Sequence, residues 1–312
     1  MIKIMKENAI LKTIILLISI FSVNLCASNI QVIPSTIKVD KKKVKLGGKL
    51  FNDKRLSLDN SISCASCHIL NEGGDDNTIF AIGINGKVGN INTPTVLNST
   101  FNFRQFWDGR AKNLKEQALG PIENPIEMGS DFNILIKKLA NTEYKELFGK
   151  IYKDGITKKN IADSIAEYEK TLITPNSPFD RYLKGENNAI TEKQKEGYEL
   201  FKNKGCVACH NGVNLGGNLY SKFGVLYDAQ SSNLGRYHIT KKEKDKYYFK
   251  VPTLRNIEHT APYFHDGRTF SLHDTVKIMA LYQIGRPITD DEVDKIVSFL
   301  YSLSAPLFKE VE

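Results

Sequence analysis

Hydrophobic residues recur along much of the chain at the three- and four-residue spacing of amphipathic helices. The clearest case covers residues 290–303 near the C-terminus, where one helical face is apolar. The residues on that face are Val293, Ile296, Val297, Leu300 and Leu303. The same spacing predicts helices over residues 134–148, 161–172 and 272–281. Little of the sequence has the pattern of strands, so we expect a mostly α protein.

Two long segments rich in Gly and Asn, residues 71–98 and 211–250, interrupt the helical pattern and predict loops around a cofactor. The same order of elements occurs twice in the chain. A Leu-Phe pair comes first, a Cys-x-x-Cys-His motif follows, and then come one of these loops and further helices. Prolines break the pattern again over residues 174–181, where we place a domain boundary. The prediction is two cytochrome c-type domains, residues 29–176 and 177–312. Residues 29–45, with their Lys run, are interpreted as a solvated lead-in.

Composition and charge narrow the class of protein. The chain has 312 residues, 41% hydrophobic and 25% charged, which is typical of a globular protein with room for two domains. The net charge of +8 would help to steer an acidic redox partner. A nucleic-acid partner is not expected, because the Lys residues are scattered and no aromatic-basic stripe occurs.

The N-terminus has the organisation of a secretory signal. Lys3, Lys6 and Lys12 precede an apolar run over residues 14–25, and the small residues Ala27 and Ser28 follow. We therefore predict a signal peptide over residues 1–28 and a periplasmic location. An uncleaved membrane anchor is the alternative, but the run is shorter than the roughly 20 residues that span a bilayer.

The cysteines supply the strongest chemical signal. Of five Cys, Cys26 falls in the signal region, and the other four form two Cys-x-x-Cys-His motifs. Disulfides or a zinc site could use four Cys, but neither explains a His directly after each pair. Two covalently bound c-type haems explain both motifs: the Cys residues form thioethers and the His becomes the proximal iron ligand. The motifs are Cys64-Ala65-Ser66-Cys67-His68 and Cys206-Val207-Ala208-Cys209-His210.

Six further segments match the motifs of one family. They are FNDKRLS at 51–57, NTPT at 92–95, QFWDGRA at 105–111, LITPN at 172–176, NGVNLGG at 211–217 and TAPYFHDG at 260–267. With the haem motifs, they make the chain resemble the bacterial di-haem cytochrome c peroxidases of the MauG-like superfamily over nearly all of its mature length. The resemblance implies reduction of hydrogen peroxide to water with electrons from a small periplasmic cytochrome c or cupredoxin. It also implies a peroxidatic N-terminal haem and an electron-storing C-terminal haem. Members of the family often form homodimers, and the oligomeric state of this chain is open from the sequence.

The resemblance also assigns individual residues. Met279 matches the sixth ligand of the second haem, where a thioether raises the reduction potential. Glu127 and Gln117 match the distal residues of the peroxidatic haem, where a carboxylate transfers protons. Trp107, the single Trp, matches a bridge between the haems. Met279 could instead be a Met of the hydrophobic core, and Glu127 could be a surface carboxylate. Trp107 could be an aromatic residue that only packs in the core.

A calcium site is implied in the same way. Asn92, Thr260 and Pro262 match the family's site between the domains, with one side-chain oxygen and two backbone carbonyls as ligands. His265 lies in the family's TAPYFHDG segment and is expected near a haem edge.

One position departs from the family pattern. Many members carry a His in the Gly-rich loop after the first haem motif, and it occupies the distal iron face in the resting enzyme. This chain has Ile84 there, and no His occurs between His68 and His210. We predict that the first haem is open at rest and needs little or no reductive activation. Alternatively, Met128 could replace the His as a ligand of the first haem iron, or the missing His could mark an altered function.

Two other functions remain open from the sequence. A di-haem electron carrier or sensor would not need an acid-base group such as Glu127 over an open iron. A MauG-like oxidase would be expected to have Tyr in place of Met279, as that branch of the superfamily does.

Overall fold

The computed structural model describes residues 30–308, and these are mostly helical, as predicted. The predicted signal peptide lies outside the described residues. The α-helices are α1 (Lys41–Phe51), α2 (Leu114–Glu123), α3 (Phe132–Ala140), α4 (Tyr144–Gly149), α5 (Lys158–Glu169), α6 (Pro178–Leu183), α7 (Glu192–Asn203), α8 (Tyr237–Thr240), α9 (Leu272–Met279) and α10 (Asp290–Tyr301). Two short antiparallel strands, β1 (Tyr220–Lys222) and β2 (Tyr248–Lys250), pair with each other. Within residues 30–308, no helix is both long and apolar enough to cross a bilayer.

The start of the first helix differs from the prediction. The sequence predicts a solvated lead-in over residues 29–45, but α1 begins at Lys41. The Asp40 side chain accepts hydrogen bonds from the backbone N–H groups of Lys42 and Lys43 and so caps the helix. The Lys residues therefore form the solvated face of a helix whose other face is buried.

The helix predicted over residues 134–148 is divided into α3 and α4. Asn141 and Thr142 lie at the break, and their side chains donate to the Lys137 and Leu139 carbonyls at 3.1 and 2.7 Å. These bonds satisfy carbonyls at the end of α3, so the helix ends there. The hydrophobic periodicity of the sequence does not show that these side chains compete with backbone N–H groups for the carbonyls.

Both halves of the molecule contain the same close helix crossing. Helix α1 packs on α5, and α7 packs on α10. A Gly lies at each crossing: a Cβ on Gly47 would be 1.9 Å from the Ser164 carbonyl oxygen, and one on Gly197 would be 1.9 Å from that of Lys295. The backbones approach so closely that only Gly fits. The internal repeat seen in the sequence is therefore a repeat of tertiary packing.

Replacing Gly197 with Ala is expected to destabilise the protein by about 1–3 kcal/mol, because the added methyl forces the two helices apart. The measurement is the free energy of unfolding of the haem-loaded protein in denaturant. Gly149→Ala is the matched control, since a Cβ there meets no atom within 4 Å, and it should leave stability equal or slightly higher. An equal loss for the two variants would contradict the close-crossing explanation.

The buried apolar residues form separate cores. One contains residues between Leu46 and Leu172 and another contains residues between Phe179 and Leu303. The boundary predicted between residues 176 and 177 falls between these two sets and remains a prediction. A buried hydrogen-bond network joins the halves: the side-chain amides of Asn98 and Asn256 both donate to Thr174 Oγ1 at 2.8 Å. This network fixes how the two halves face each other.

Candidate functional site

The first Cys-x-x-Cys-His motif begins as a tight turn that directs its His inward. Cys64–Ser66 form one turn of 3₁₀-helix, and His68 Nδ1 lies 2.9 Å from the Gly74 carbonyl oxygen. That acceptor favours the proton on Nδ1 and leaves Nε2 free to bind iron. Burial lowers the pKa of His68, so the imidazole stays neutral, as a ligand must be.

The second motif repeats this geometry. Cys206–Ala208 form the turn, His210 Nδ1 lies 3.1 Å from the Leu215 carbonyl oxygen, and burial lowers the pKa of His210 to about 4. Each proximal His also lies beside a Phe from the preceding helix: ring centroids are 6.4 Å apart for Phe51 and His68, and 6.3 Å apart for Phe201 and His210. The two motifs therefore present their Cys and His residues in equivalent geometry.

The cysteines are available for thioether bonds. Cys64, Cys67, Cys206 and Cys209 form no disulfide. Within residues 30–308, no group of three or more His, Cys, Asp or Glu side chains is arranged to hold a metal ion. Two Cys and one His in each motif are the groups that attach a c-type haem.

A cavity of about 370 Å³ adjoins the second motif, and its exposed lining is predominantly apolar. Cys206, Cys209 and His210 line it, and Met279, the last residue of α9, lines it as well. The cavity thus brings together a thioether and an imidazole that are far apart in sequence. This combination is what an iron with His and Met axial ligands requires.

Trp107 lines the same cavity and connects both halves of the molecule. Its Nε1 donates to the Asn92 carbonyl oxygen at 2.8 Å, and its own carbonyl oxygen accepts from the Lys250 backbone N–H at 2.7 Å. Its ring centroid lies 6.1 Å from that of His265. One hydrogen bond therefore holds the indole and another holds the backbone of Trp107, and the residue lines the cavity that the C-terminal haem motif also lines.

His265 is buried in an aromatic environment. Its ring stacks on Phe249 with centroids 4.1 Å apart, and its Nε2 lies 2.7 Å from Ser231 Oγ. Burial lowers the pKa of His265 to about 4, so the ring is neutral at physiological pH. His259, whose role the sequence does not assign, has its Nε2 3.0 Å from an oxygen of its neighbour Glu258.

The three residues matched to calcium also meet at this cavity. Asn92, Thr260 and Pro262 all line it. Asn92 Nδ2 donates to the Thr78 carbonyl oxygen at 2.9 Å, which orients the side-chain amide. Asp75 lines the cavity too, and its buried Oδ1 has no hydrogen-bond partner. Burial raises its pKa to about 8, which a nearby cation would reverse.

Asp75 was not predicted from the sequence. It follows two Gly residues in a polar loop, where an Asp is ordinary. Only its burial without a partner distinguishes it, and that is a property of the fold. The donor set, with side-chain, backbone and carboxylate oxygens, is of the kind that binds calcium.

Glu127 lies in a loop close to the first haem motif. Burial raises the pKa of Glu127, while a 2.6 Å hydrogen bond from Asn124 and the charge of Arg110 oppose the shift. Burial also raises the pKa of the Cys67 thiol to about 11, and the charges of Asp76 and Glu127 add to it. The carboxyl group is thus within electrostatic range of the haem-attachment residues.

The loop of Glu127 folds back on the helix that carries Gln117. The backbone N–H of Met128 donates to Pro121 O at 3.1 Å, and that of Ser130 donates to Ile122 O at 2.7 Å. Gln117 lies on this helix, α2, and is partly exposed. Gln117 and Glu127 therefore belong to one packed unit, although their side chains are not hydrogen-bonded to each other.

Ile84 packs against the same unit. It is 3% exposed, and its backbone N–H donates to the Glu127 carbonyl oxygen at 2.9 Å. A Cβ on Gly129 would be 2.3 Å from Ile84 Cδ1, so the contact leaves no spare room. Met128 is also 3% exposed and belongs to the N-terminal core, where its side chain packs against apolar neighbours.

The sequence is similar to those of known di-haem proteins. The di-haem cytochrome c peroxidase family profile matches residues 41–188, and the cytochrome c profile matches residues 194–304. The chain is 49% identical to the cytochrome c peroxidase Ccp of Escherichia coli over 88% of its own length and 61% of that protein. It is 48% identical to the cytochrome c551 peroxidase of Nitrosomonas europaea over 90% of its own length and 86% of that protein.

The fold matches as well. A crystal structure of a MauG-like protein associated with microbial copper homeostasis superposes with a TM-score of 0.78 at 26% identity, covering 88% of this chain and 93% of that one. The two cytochrome c-type domains predicted from the sequence are thereby confirmed, and the family implies two haems c. The chain belongs to the di-haem cytochrome c peroxidase family.

Proposed function

We propose that the protein is a periplasmic peroxidase that reduces hydrogen peroxide to water. One H₂O₂, two electrons and two protons give two H₂O. The observation that carries the proposal is Glu127, a partly buried carboxyl group within electrostatic range of the first haem motif. An electron carrier has no use for a proton-transfer group at this position.

Glu127 supplies the acid-base chemistry. Its carboxylate accepts a proton from incoming peroxide and returns it to the oxygen that leaves as water. Asn124 orients the carboxyl group through its 2.6 Å hydrogen bond. Gln117, on the helix behind the loop, is proposed to donate a hydrogen bond to the bound peroxide. Cys64, Cys67 and His68 would hold the first haem, which would supply a redox-active iron at this site.

The second electron comes through the C-terminal domain. His210 and Met279 are proposed to hold the iron of the second haem, and the thioether keeps its potential high enough to accept electrons from the donor. Trp107 bridges the two haem sites, because it lines the second cavity and is hydrogen-bonded to residues from both halves.

Calcium is proposed to bind between the domains through Asn92 Oδ1 and the carbonyl oxygens of Thr260 and Pro262. Asp75 adds a negative charge next to this site. Because the Asn92 carbonyl also accepts from Trp107, the ion would stabilise the segment that positions the indole.

We extend the proposal to the electron donor and the cellular location of the protein. The Nitrosomonas relative is named for cytochrome c551, and a small periplasmic cytochrome c or a cupredoxin is the proposed donor here. Residues 1–28 would direct export, and the mature chain would act as a homodimer.

Ile84 gives the peroxidase an open first haem at rest. A hydrocarbon side chain cannot ligate iron, and the 2.9 Å bond from its backbone to the Glu127 carbonyl keeps the loop packed beside that residue. Glu127 then already lies in place in the oxidised enzyme. No prior reduction is needed to release a ligand.

Replacing Ile84 with His is expected to restore a requirement for prior reduction. If the new imidazole ligates iron in about nine molecules of ten, turnover by the oxidised variant falls roughly tenfold. Reduction of the second haem before mixing with peroxide should recover it. Ile84→Leu is the matched control and should turn over without activation. Equal rates for oxidised and pre-reduced I84H would contradict this account of the loop.

The function itself is tested by donor stoichiometry. The haem-loaded protein is mixed with a reduced small cytochrome c and limiting peroxide, and donor oxidation is followed by absorbance. Two donors oxidised per H₂O₂ support the peroxidase. Oxidation of donor that is independent of peroxide would instead support the electron carrier, and peroxide-dependent modification of a partner protein would support the MauG-like oxidase.

A further inference from the structure

Lys250 is a buried cation without a counter-ion in the protein. It ends strand β2 and is 6% exposed. Burial lowers the pKa of its ammonium group to about 8, and no carboxylate contributes to offset the shift. Among the described residues, its Nζ takes part in no hydrogen bond or ion pair. Burial of an unpaired ammonium group is strongly unfavourable, so this position calls for an anion.

The surroundings of Lys250 indicate which anion. Lys250 lines the cavity that Cys206, His210 and Met279 also line. That cavity is the site of the second haem in the proposed function, and a haem carries two propionate carboxylates. Because the haem is covalently attached, its carboxylates would be present in this cavity in every molecule. Asp75 also lines the cavity, but its charge does not contribute to the pKa of Lys250, so it is not the counter-ion.

The backbone of Lys250 adds a second connection. Its N–H donates to the Trp107 carbonyl oxygen at 2.7 Å. Strand pairing with Tyr220 fixes the backbone at this point. Lys250 therefore connects strand β2, the backbone of Trp107 and the haem cavity.

We propose that Lys250 pairs with a propionate of the C-terminal haem, holding its potential up and fixing the haem edge relative to Trp107. A positive charge near the iron disfavours the oxidised, more positive state, so the charge raises the reduction potential. Lys250 is a positioning residue in this scheme, since it acts through the haem and does not touch peroxide. The inference rests on the proposed haem site and is independent of peroxide reduction.

The test is a spectroelectrochemical titration of both haems in the haem-loaded protein. Lys250→Met removes the charge and keeps the chain length, while Lys250→Arg keeps the charge. Lys244→Met is the matched control, because Lys244 is exposed in the loop before β2. For K250M we expect the reduction equilibrium of the C-terminal haem to shift about tenfold toward the oxidised state, which is about 59 mV. K250R and K244M should retain the wild-type potential within a third of that shift.

Two outcomes would overturn the proposal. One is a haem-loaded K250M with an unchanged C-terminal potential, and the other is an equal shift in both haems, which would indicate a general structural change. If K250M does not accumulate with both haems, resonance Raman spectra of K250R decide. A shifted propionate bending band supports pairing with the propionate, and bands identical to those of the wild type contradict it. Because no measurement uses peroxide, failure of the peroxidase proposal would be seen separately.

Discussion

Replacing Glu127 with Gln is expected to lower kcat/KM for peroxide by roughly 10²–10⁴-fold, the usual contribution of a positioned acid-base group. The amide keeps the shape of the side chain but cannot accept the proton from peroxide. Haem absorption and both midpoint potentials should stay close to wild type, because Glu127 is not an iron ligand in this account. Stopped-flow mixing with peroxide measures the loss.

The pH dependence gives a second, independent readout of Glu127. Burial raises its pKa above that of an exposed Glu, and the base works only when it is deprotonated. Wild-type kcat/KM should therefore fall as the pH drops through this raised pKa, at a higher pH than for an ordinary carboxylate. E127Q should lack this limb of the profile.

Glu123→Gln is the matched control for Glu127. Glu123 ends α2, the helix that precedes the loop of Glu127, and forms an exposed ion pair with Lys158 at 2.8 Å. The charge change is the same, yet peroxide turnover should be unaffected. If E127Q and E123Q both retain full activity, Glu127 is not the acid-base group and another residue must accept the proton from peroxide.

Replacing Met279 with His is expected to lower the potential of the C-terminal haem by about 0.1 V or more, within the roughly 0.8 V range that axial ligands span. Imidazole lacks the preference of a thioether for ferrous iron. A shift of about 0.12 V changes the reduction equilibrium roughly a hundredfold, so a donor matched to the wild-type haem would no longer reduce it. Turnover with that donor should fall in proportion. Redox titration and steady-state kinetics measure the two effects.

Met128→Leu is the matched control, because Met128 is the other Met within residues 30–308 and packs in the N-terminal core. A Leu of similar volume should preserve folding at a cost of under about 1.5 kcal/mol. It should change neither potential. Loss of the Met–iron absorption band in M128L but not in M279H would reverse the assignment of the ligand.

Much of the site could be predicted from the sequence because it is encoded locally. In each haem motif, the two Cys and the His are close in sequence and lie in a single turn, so the spacing implies the geometry. Met279 and Trp107 are far from the motifs in sequence, and only the family resemblance assigned them roles. The structure adds that both line one cavity with His210.

Other features depend on long-range packing and could not be predicted. Asp75 and Lys250 are an ordinary loop acid and an ordinary strand Lys until the fold buries them without partners. The end of α3 at Asn141 reflects a local competition that helical periodicity does not detect. The 2.9 Å contact between Ile84 and the Glu127 carbonyl joins two loops that are far apart in the sequence.

One experiment on a single sample tests most directly whether the protein is a peroxidase with a first haem that is open at rest. The haem-loaded, calcium-loaded mature protein is fully oxidised, its electron paramagnetic resonance spectrum is recorded, and peroxide turnover is assayed with and without prior reduction by one electron. We predict a high-spin signal from one haem and immediate turnover without reduction. A wholly low-spin spectrum, with turnover only after reduction, would contradict the open site, and absence of turnover in both states would contradict the peroxidase itself.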